Sequence, residues 1–119
     1  MSDDILNLRS ADGACAAIHL HGGHVLAWTP AGEHDSRLYL SAVSKAAPGV
    51  AIRGGVPVIF PQFAGEGPLP KHGFARTARW SLLQQHQDES QASATLRLGS
   101  SAETLALWPY PFELHVRVA

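Results

Sequence analysis

An all-β fold, built from short antiparallel strands as a sandwich or barrel, is what this sequence predicts, on three observations. Apolar and polar residues alternate with a period of two in several short runs, turn-forming residues separate those runs, and no segment carries a helix of useful length. At 119 residues the chain holds at most one domain, and a closed core of that size would bury roughly two-thirds of the unfolded surface.

The first run places Ala14, Ala16, Ile18 and Leu20 on one side of a strand, with Cys15, Ala17, His19 and His21 on the other. Gly22-Gly23 breaks it and His24 to Thr29 resumes an extended apolar run, so the two read as a hairpin, closed by Pro30-Ala31-Gly32. Arg37 to Leu40 is expected to form a further short strand, while Ser41 to Ala47 is too short and too rich in small residues to classify. Trp80 to Gln85 and Ser93 to Leu98 read as strands, the second with Ala94, Leu96 and Leu98 alternating against Thr95 and Arg97. Gln87-Asp88-Glu89-Ser90 is the polar turn between them. Ala102 to Leu107 is expected to form a single helical turn, ended by Trp108-Pro109-Tyr110-Pro111. The last run, Phe112 to Val118, alternates Phe, Leu, Val and Val against Glu, His and Arg.

Between these strands, residues 48–73 hold five prolines and six glycines in twenty-six positions, which is too broken for a helix and too long for an idle turn. Ile52, Val56, Val58, Ile59, Phe60, Phe63 and Phe74 give the segment apolar anchors that a solvated linker lacks. Arg53 immediately precedes Gly54-Gly55, where exposed backbone N–H groups and close approach suit an anion. Arg76 offers a second planar, permanently charged fork, and paired guanidiniums hold phosphate through bidentate hydrogen bonds. Lys71 adds charge and His72 can exchange a proton near neutral pH. Taken singly, an arginine is more often a solvated surface residue and a histidine more often structural.

Composition excludes several classes. With 16% charged residues, a formal net charge of −1 and no basic patch, the chain lacks the electrostatic footprint of a nucleic-acid binder. The N-terminus MSDDILNLRS lacks the flank and apolar run of a signal peptide, no stretch approaches a membrane span, and the lone Cys15 forms no internal disulfide. A cytoplasmic protein without membrane contact is the expectation. His19, His21 and His24 form an HxHxxH cluster with no carboxylate or thiolate fixed nearby, so they read as the polar outer face of a strand and no metal is expected. Trp28 and Trp80 read as core, Trp108 less so beside its Pro-rich bend.

The segments GGHVLAWTP, LYLS, AIRGGVPVIFPQF, LPKHGFAR, RW and WPYPFEL, in this order and spacing, resemble the N-terminal half of the glucose-6-phosphate 1-epimerase family, within the aldose 1-epimerase (galactose mutarotase-like) superfamily. The resemblance implies a β-sandwich of the supersandwich type, of which residues 1–119 are the N-terminal part of a single domain. It implies an isomerase that interconverts the α and β anomers of a hexose 6-phosphate without a cofactor. A base takes the anomeric hydroxyl proton, an acid protonates the ring oxygen, and the ring opens and recloses from the other face. Carried over by motif, Arg53 and Arg76 match arginines that hold the substrate phosphate. Lys71 stands at a substrate-binding position often filled by Gln, and His72 matches a catalytic histidine beside the sugar ring. The family's principal histidine acid, an acidic ligand and a glutamate base lie in a second half that this sequence does not match, so Glu66, Glu103 and Glu113 are read as surface carboxylates.

An alternative is a non-catalytic module that binds phosphorylated sugars through Arg53 and Arg76. Half of a sheet-on-sheet fold would also leave strand edges unpaired, and self-association through them is expected.

Overall fold

The computed structural model describes residues 4–41, 50–89 and 91–119. The expected all-β architecture is borne out, as two three-stranded antiparallel sheets packed face to face. The first contains β1 (Ile5–Arg9), β2 (Cys15–His19) and β3 (His24–Thr29) in that order, and the second β4 (Ser81–Gln87), β5 (Ala92–Gly99) and β6 (Glu113–Val118).

The hairpin forms where Gly22-Gly23 predicts it. Gly23 has a φ of 56°, and a Cβ there would come within 2.8 Å of the Trp80 ring, so the turn needs glycine both for its backbone and for the indole beneath it. Along the β2–β3 ladder Ala17 pairs with Ala27 but Ile18 with Val25, leaving Leu26 as the extra residue of a bulge.

In β5 the inward set is Ala92, Ala94, Leu96 and Leu98, the alternation read from the sequence. These pack against Leu8, Ile18 and Leu20 of the first sheet region, with Trp80 between the sheets at 1% exposure. The Trp80 N–H donates to the Leu20 carbonyl at 2.8 Å and its indole N–H to the Ala75 carbonyl at 3.0 Å, tying the sheets together. Strand β6 follows the predicted pattern, with Leu114, Val116 and Val118 half-buried and Glu113, His115 and Arg117 exposed. The short helix α1 (Ala102–Leu107) opens on a capping box in which Ser101 and Thr104 each bond the other's backbone N–H.

Four expectations need correction or addition. Strand β1 was not anticipated: its Leu6 and Leu8 pair with Ile18 and Ala16, a partnership that no local pattern announces. Arg37 to Leu40 is not a strand. The hydroxyl of Ser36 accepts from the Trp28 and Leu38 N–H groups, the Arg37 N–H donates to the Trp28 carbonyl, and only Leu40 bridges to Gly54. His19, His21 and His24 are not an outer polar face: His19 and His21 are 8% exposed, as the chain around Arg79 and Val50 closes over them, and His24 is fully buried against Gly54. Trp28 is 47% exposed, because it stands opposite Ala16 beside a groove of about 240 Å³ whose small side chains, Ala16 and Ala92, cannot cover an indole. The unclassified stretch at 42–47 lies outside the described residues, as does Ser90 of the polar turn.

The accessible surface of 7424 Å² exceeds the approximately 6,200 Å² expected of a closed monomer of this mass. Every residue of β4 is exposed, Leu82 and Leu83 included.

Candidate active site on the glycine- and proline-rich segment

The segment after residue 50 is held by two glycine turns. At the first, the Gly55 N–H donates to the Tyr39 carbonyl at 2.7 Å and the Ser41 N–H donates to the Arg53 carbonyl at 3.0 Å. Val56 and Val25 exchange both backbone hydrogen bonds, fastening the turn to β3. Gly55 has a φ of 62°, and a Cβ there would run into the Val25 carbonyl oxygen. The Arg53 side chain stands exposed at the head of this turn.

At the second turn the Phe60 carbonyl accepts from the Phe74 and Ala75 N–H groups, and Phe60 pairs with Gly73. Gln62, 8% exposed, organises the loop between them. Its amide N–H groups donate to the carbonyls of Ala64 and Leu69 at 2.7 and 3.0 Å, and its Oε1 accepts from the Leu69 N–H at 2.9 Å. Sequence reading passed over Gln62. The signal was there in one respect: a lone amide inside a run of Phe and Pro is unlike a solvated glutamine.

His72 is the product of that loop. The ring Nδ1 accepts from the Ala64 N–H at 2.8 Å while the His72 N–H returns a bond to the Ala64 carbonyl at 3.0 Å. With Nδ1 occupied as an acceptor, the neutral ring carries its proton on Nε2. Desolvation, and then the charges of Arg76 and Lys71, hold the imidazole below its ordinary pKa. The arrangement thus favours a neutral ring presenting an Nε2–H donor. The residue has a φ of 65°, a left-handed backbone that costs a non-glycine residue energy and that concentrates at functional positions. The Phe63 ring packs against the imidazole with centroids 5.2 Å apart.

Arg76 lies on the 3-10 turn Ala75–Thr77, whose first residue is fixed by Trp80. Its Nη2 donates to the Lys71 carbonyl at 3.2 Å, and its Nε–H is buried with no hydrogen-bond partner among the described residues. A buried guanidinium N–H left unmatched is uncommon and costs free energy unless something accepts from it. Lys71, His72 and Arg76 are therefore brought together in one electrostatic group, and Arg53 lies on the turn anchored to β3.

Other candidates fall elsewhere. A cavity of about 700 Å³ is lined by His19, His21, Arg79 and Arg97, among others, and by Phe74, Thr77 and Ala78 on either side of Arg76. Arg79 is paired there with Asp4 at 2.7 Å. The charged groups lining this cavity thus include partners of opposite sign. The rings of His19 and His21 are 6.1 Å apart, and among the described residues no group of three His, Cys, Asp or Glu is placed to hold a metal. Glu66, Glu103 and Glu113 are exposed, Glu113 being bound to Arg97 at 3.2 Å and to His115. Trp108 joins a ring cluster with Phe60, Tyr110 and Phe112, its centroid 5.4 Å from that of Phe60. No helix among the described residues is long and apolar enough to cross a membrane.

Comparison with known proteins bears on the same segment. An Escherichia coli (strain K12) protein with the provisional name glucose-6-phosphate 1-epimerase is 46% identical over 107 residues, covering 87% of this chain. One from Cenchrus ciliaris with the same provisional name is 38% identical over 117 residues, covering 94%. Among solved structures, a provisionally assigned mutarotase from Salmonella typhimurium superposes with a TM-score of 0.84 at 37% identity over 98% of the chain. The Slr1438 protein of Synechocystis superposes with a TM-score of 0.79 at 28% identity, also over 98%. The chain spans only 35–36% of the length of those two relatives and 40–46% of those two structures. Residues 4–119 match the aldose 1-epimerase family. With the antiparallel sandwich and the neighbours it superposes on, that match places this chain in the aldose 1-epimerase family.

Proposed function

We propose that this chain carries the phosphate-binding side of an enzyme that interconverts the α and β anomers of a hexose 6-phosphate, and that residues 1–119 are the N-terminal part of one β-sandwich domain. The observation that carries the reading is the Lys71–His72–Arg76 group, with a buried guanidinium N–H that has no acceptor among the described residues. A phosphate oxygen is an acceptor of the right charge. Arg53 closes on the same phosphate from the Gly54-Gly55 turn. His72 donates from Nε2 to the sugar ring and steadies the oxygen that gains negative character as the C1–O bond to the ring oxygen breaks. The acid that protonates the ring oxygen and the base that takes the C1 hydroxyl proton reside in the length that the relatives carry and this chain does not match. The single cysteine suits a reducing, cytoplasmic setting.

The test is anomer exchange of glucose 6-phosphate followed by NMR, on this chain and on a version extended by the remainder that its relatives carry. Exchange no faster in the extended protein than in buffer would remove the epimerase reading. His72→Asn keeps a residue type that tolerates the left-handed backbone, with an Oδ1 to accept from Ala64. Its melting temperature is expected to change little, while exchange in the extended protein falls about 10²-fold for loss of a positioned donor.

The partial match to its relatives favours one second reading, a phosphosugar-binding module without catalysis. Calorimetry separates the two, since a module binds glucose 6-phosphate tightly by itself and half of a sandwich does not. Self-association through β4 belongs to the proposal as well, because Leu82 and Leu83 stand exposed on an edge strand. Light scattering is expected to give a dimer or larger species, and a monomer at high concentration would count against it.

A further inference from the structure

The imidazole of His24 is fully buried at the start of β3, and none of the contacts to substrate proposed above involves it. Its Nε2 makes a close hydrogen bond to the Gly54 carbonyl, so Nε2 carries the proton. Gly55 packs on the same edge of the ring, where a Cβ would lie 2.9 Å from Nε2. The next residue, Val25, exchanges backbone hydrogen bonds with Val56. His24 and Val25 thus grip three consecutive residues, Gly54 to Val56, immediately after Arg53. The other ring nitrogen, Nδ1, is buried with no hydrogen-bond partner among the described residues.

We propose that His24 is a positioning residue: its Nε2–H holds the Gly54 carbonyl, and through it aims the Arg53 side chain at the substrate phosphate. The proposal rests on the reading of Arg53 as a phosphate ligand. A ring bonded this way must stay neutral, since a proton on Nδ1 would be a buried charge without an acceptor. The titratable groups facing it are His21 across the hairpin turn and His19 at the end of β2, and neither compensates a positive charge. Burial lowers the His24 pKa, the Gly54 hydrogen bond opposes that, and His21 adds to it.

The experiment uses the 15N-labelled protein extended by the remainder that its relatives carry, the backbone amide resonances of Arg53, Gly54 and Gly55, and titration with inorganic phosphate. His24→Leu is expected to shift these amides and weaken phosphate binding by about tenfold, the effect of losing one buried hydrogen bond. His24→Gln restores both, because its Nε2–H reaches the same carbonyl. His24→Asn does not, because its amide ends where Nδ1 sat. In the unsubstituted chain the Gly54 amide is expected to titrate only below pH 6.5, the ordinary histidine value, and to lose that titration in His24→Gln. Equal behaviour of the Gln and Asn variants, or unchanged amides in His24→Leu, overturns the proposal. If His24→Leu fails to fold, the Gln and Asn pair decides. Should the unsubstituted extended protein bind no phosphate, the reading of Arg53 falls, while the amide shifts still judge whether His24 sets the turn.

Discussion

Trp80→Ala is expected to destabilise the fold by about 3–5 kcal/mol, a large share of the roughly 5–15 kcal/mol that holds a domain together. Trp80 is 1% exposed and lies between the sheets, against a core that includes Leu8, Ile18, Leu20, Ala94 and Leu96. Deleting the indole removes its apolar burial and leaves a cavity that neighbours on two hydrogen-bonded sheets cannot collapse to fill. It also leaves the Ala75 carbonyl without its indole donor, one residue before Arg76. Thermal melting followed by near-UV circular dichroism should drop by roughly 12–20 °C. Trp28→Ala is the control: with its ring 47% exposed on an edge strand, its melting temperature should fall far less. Equal losses in the two variants would mean that the indole at 80 is not the centre of the core.

Arg76→Ala should lower affinity for glucose 6-phosphate roughly 10- to 150-fold, the range set by one charge-assisted contact. Unphosphorylated glucose should bind the variant and the parent alike. Stability should move the other way or not at all, because the substitution removes a buried Nε–H that has no partner among the described residues. Arg76→Lys keeps the charge but loses the planar fork and the Nε–H, so it should recover only part of the affinity. Calorimetry and a thermal melt, both on the protein extended by the remainder that its relatives carry, give both readouts. A melting temperature that fell together with the affinity would show Arg76 to be a structural anchor rather than a ligand of the phosphate.

How much of this was legible beforehand varies with the range of the interaction concerned. Strands β5 and β6 were plain in the text, because alternation in Ala94, Leu96 and Leu98, or in Leu114, Val116 and Val118, is the direct imprint of one buried face. The hairpin was legible because Gly22-Gly23 is a local signal, and α1 because Trp108-Pro109 ends it. Arg37 to Leu40 looked like a strand on composition, but a strand needs a partner along its length, and here only Leu40 found one. The proposal of the loop as the seat of the site, with Arg53, Lys71, His72 and, just beyond it, Arg76 as its residues, rests on Gly and Pro density and on motif resemblance. The side chains that shape that loop did not: Gln62 and His24 act through carbonyls and N–H groups that no linear pattern displays.

From the sequence alone came the antiparallel all-β class, the hairpin, the closing strands and the residues offered for phosphate and sugar, since these follow from period, turn chemistry and motif within a short stretch of chain. Only the tertiary structure decided that β1 pairs with β2, that His19, His21 and His24 are buried, and that Trp80 rather than Trp28 is the core indole. The tautomer of His72 and the unmatched N–H of Arg76 belong to the same group. The reason is physical: burial and hydrogen-bond pairing depend on which distant segment closes over a residue, and a residue's neighbours along the chain do not specify that.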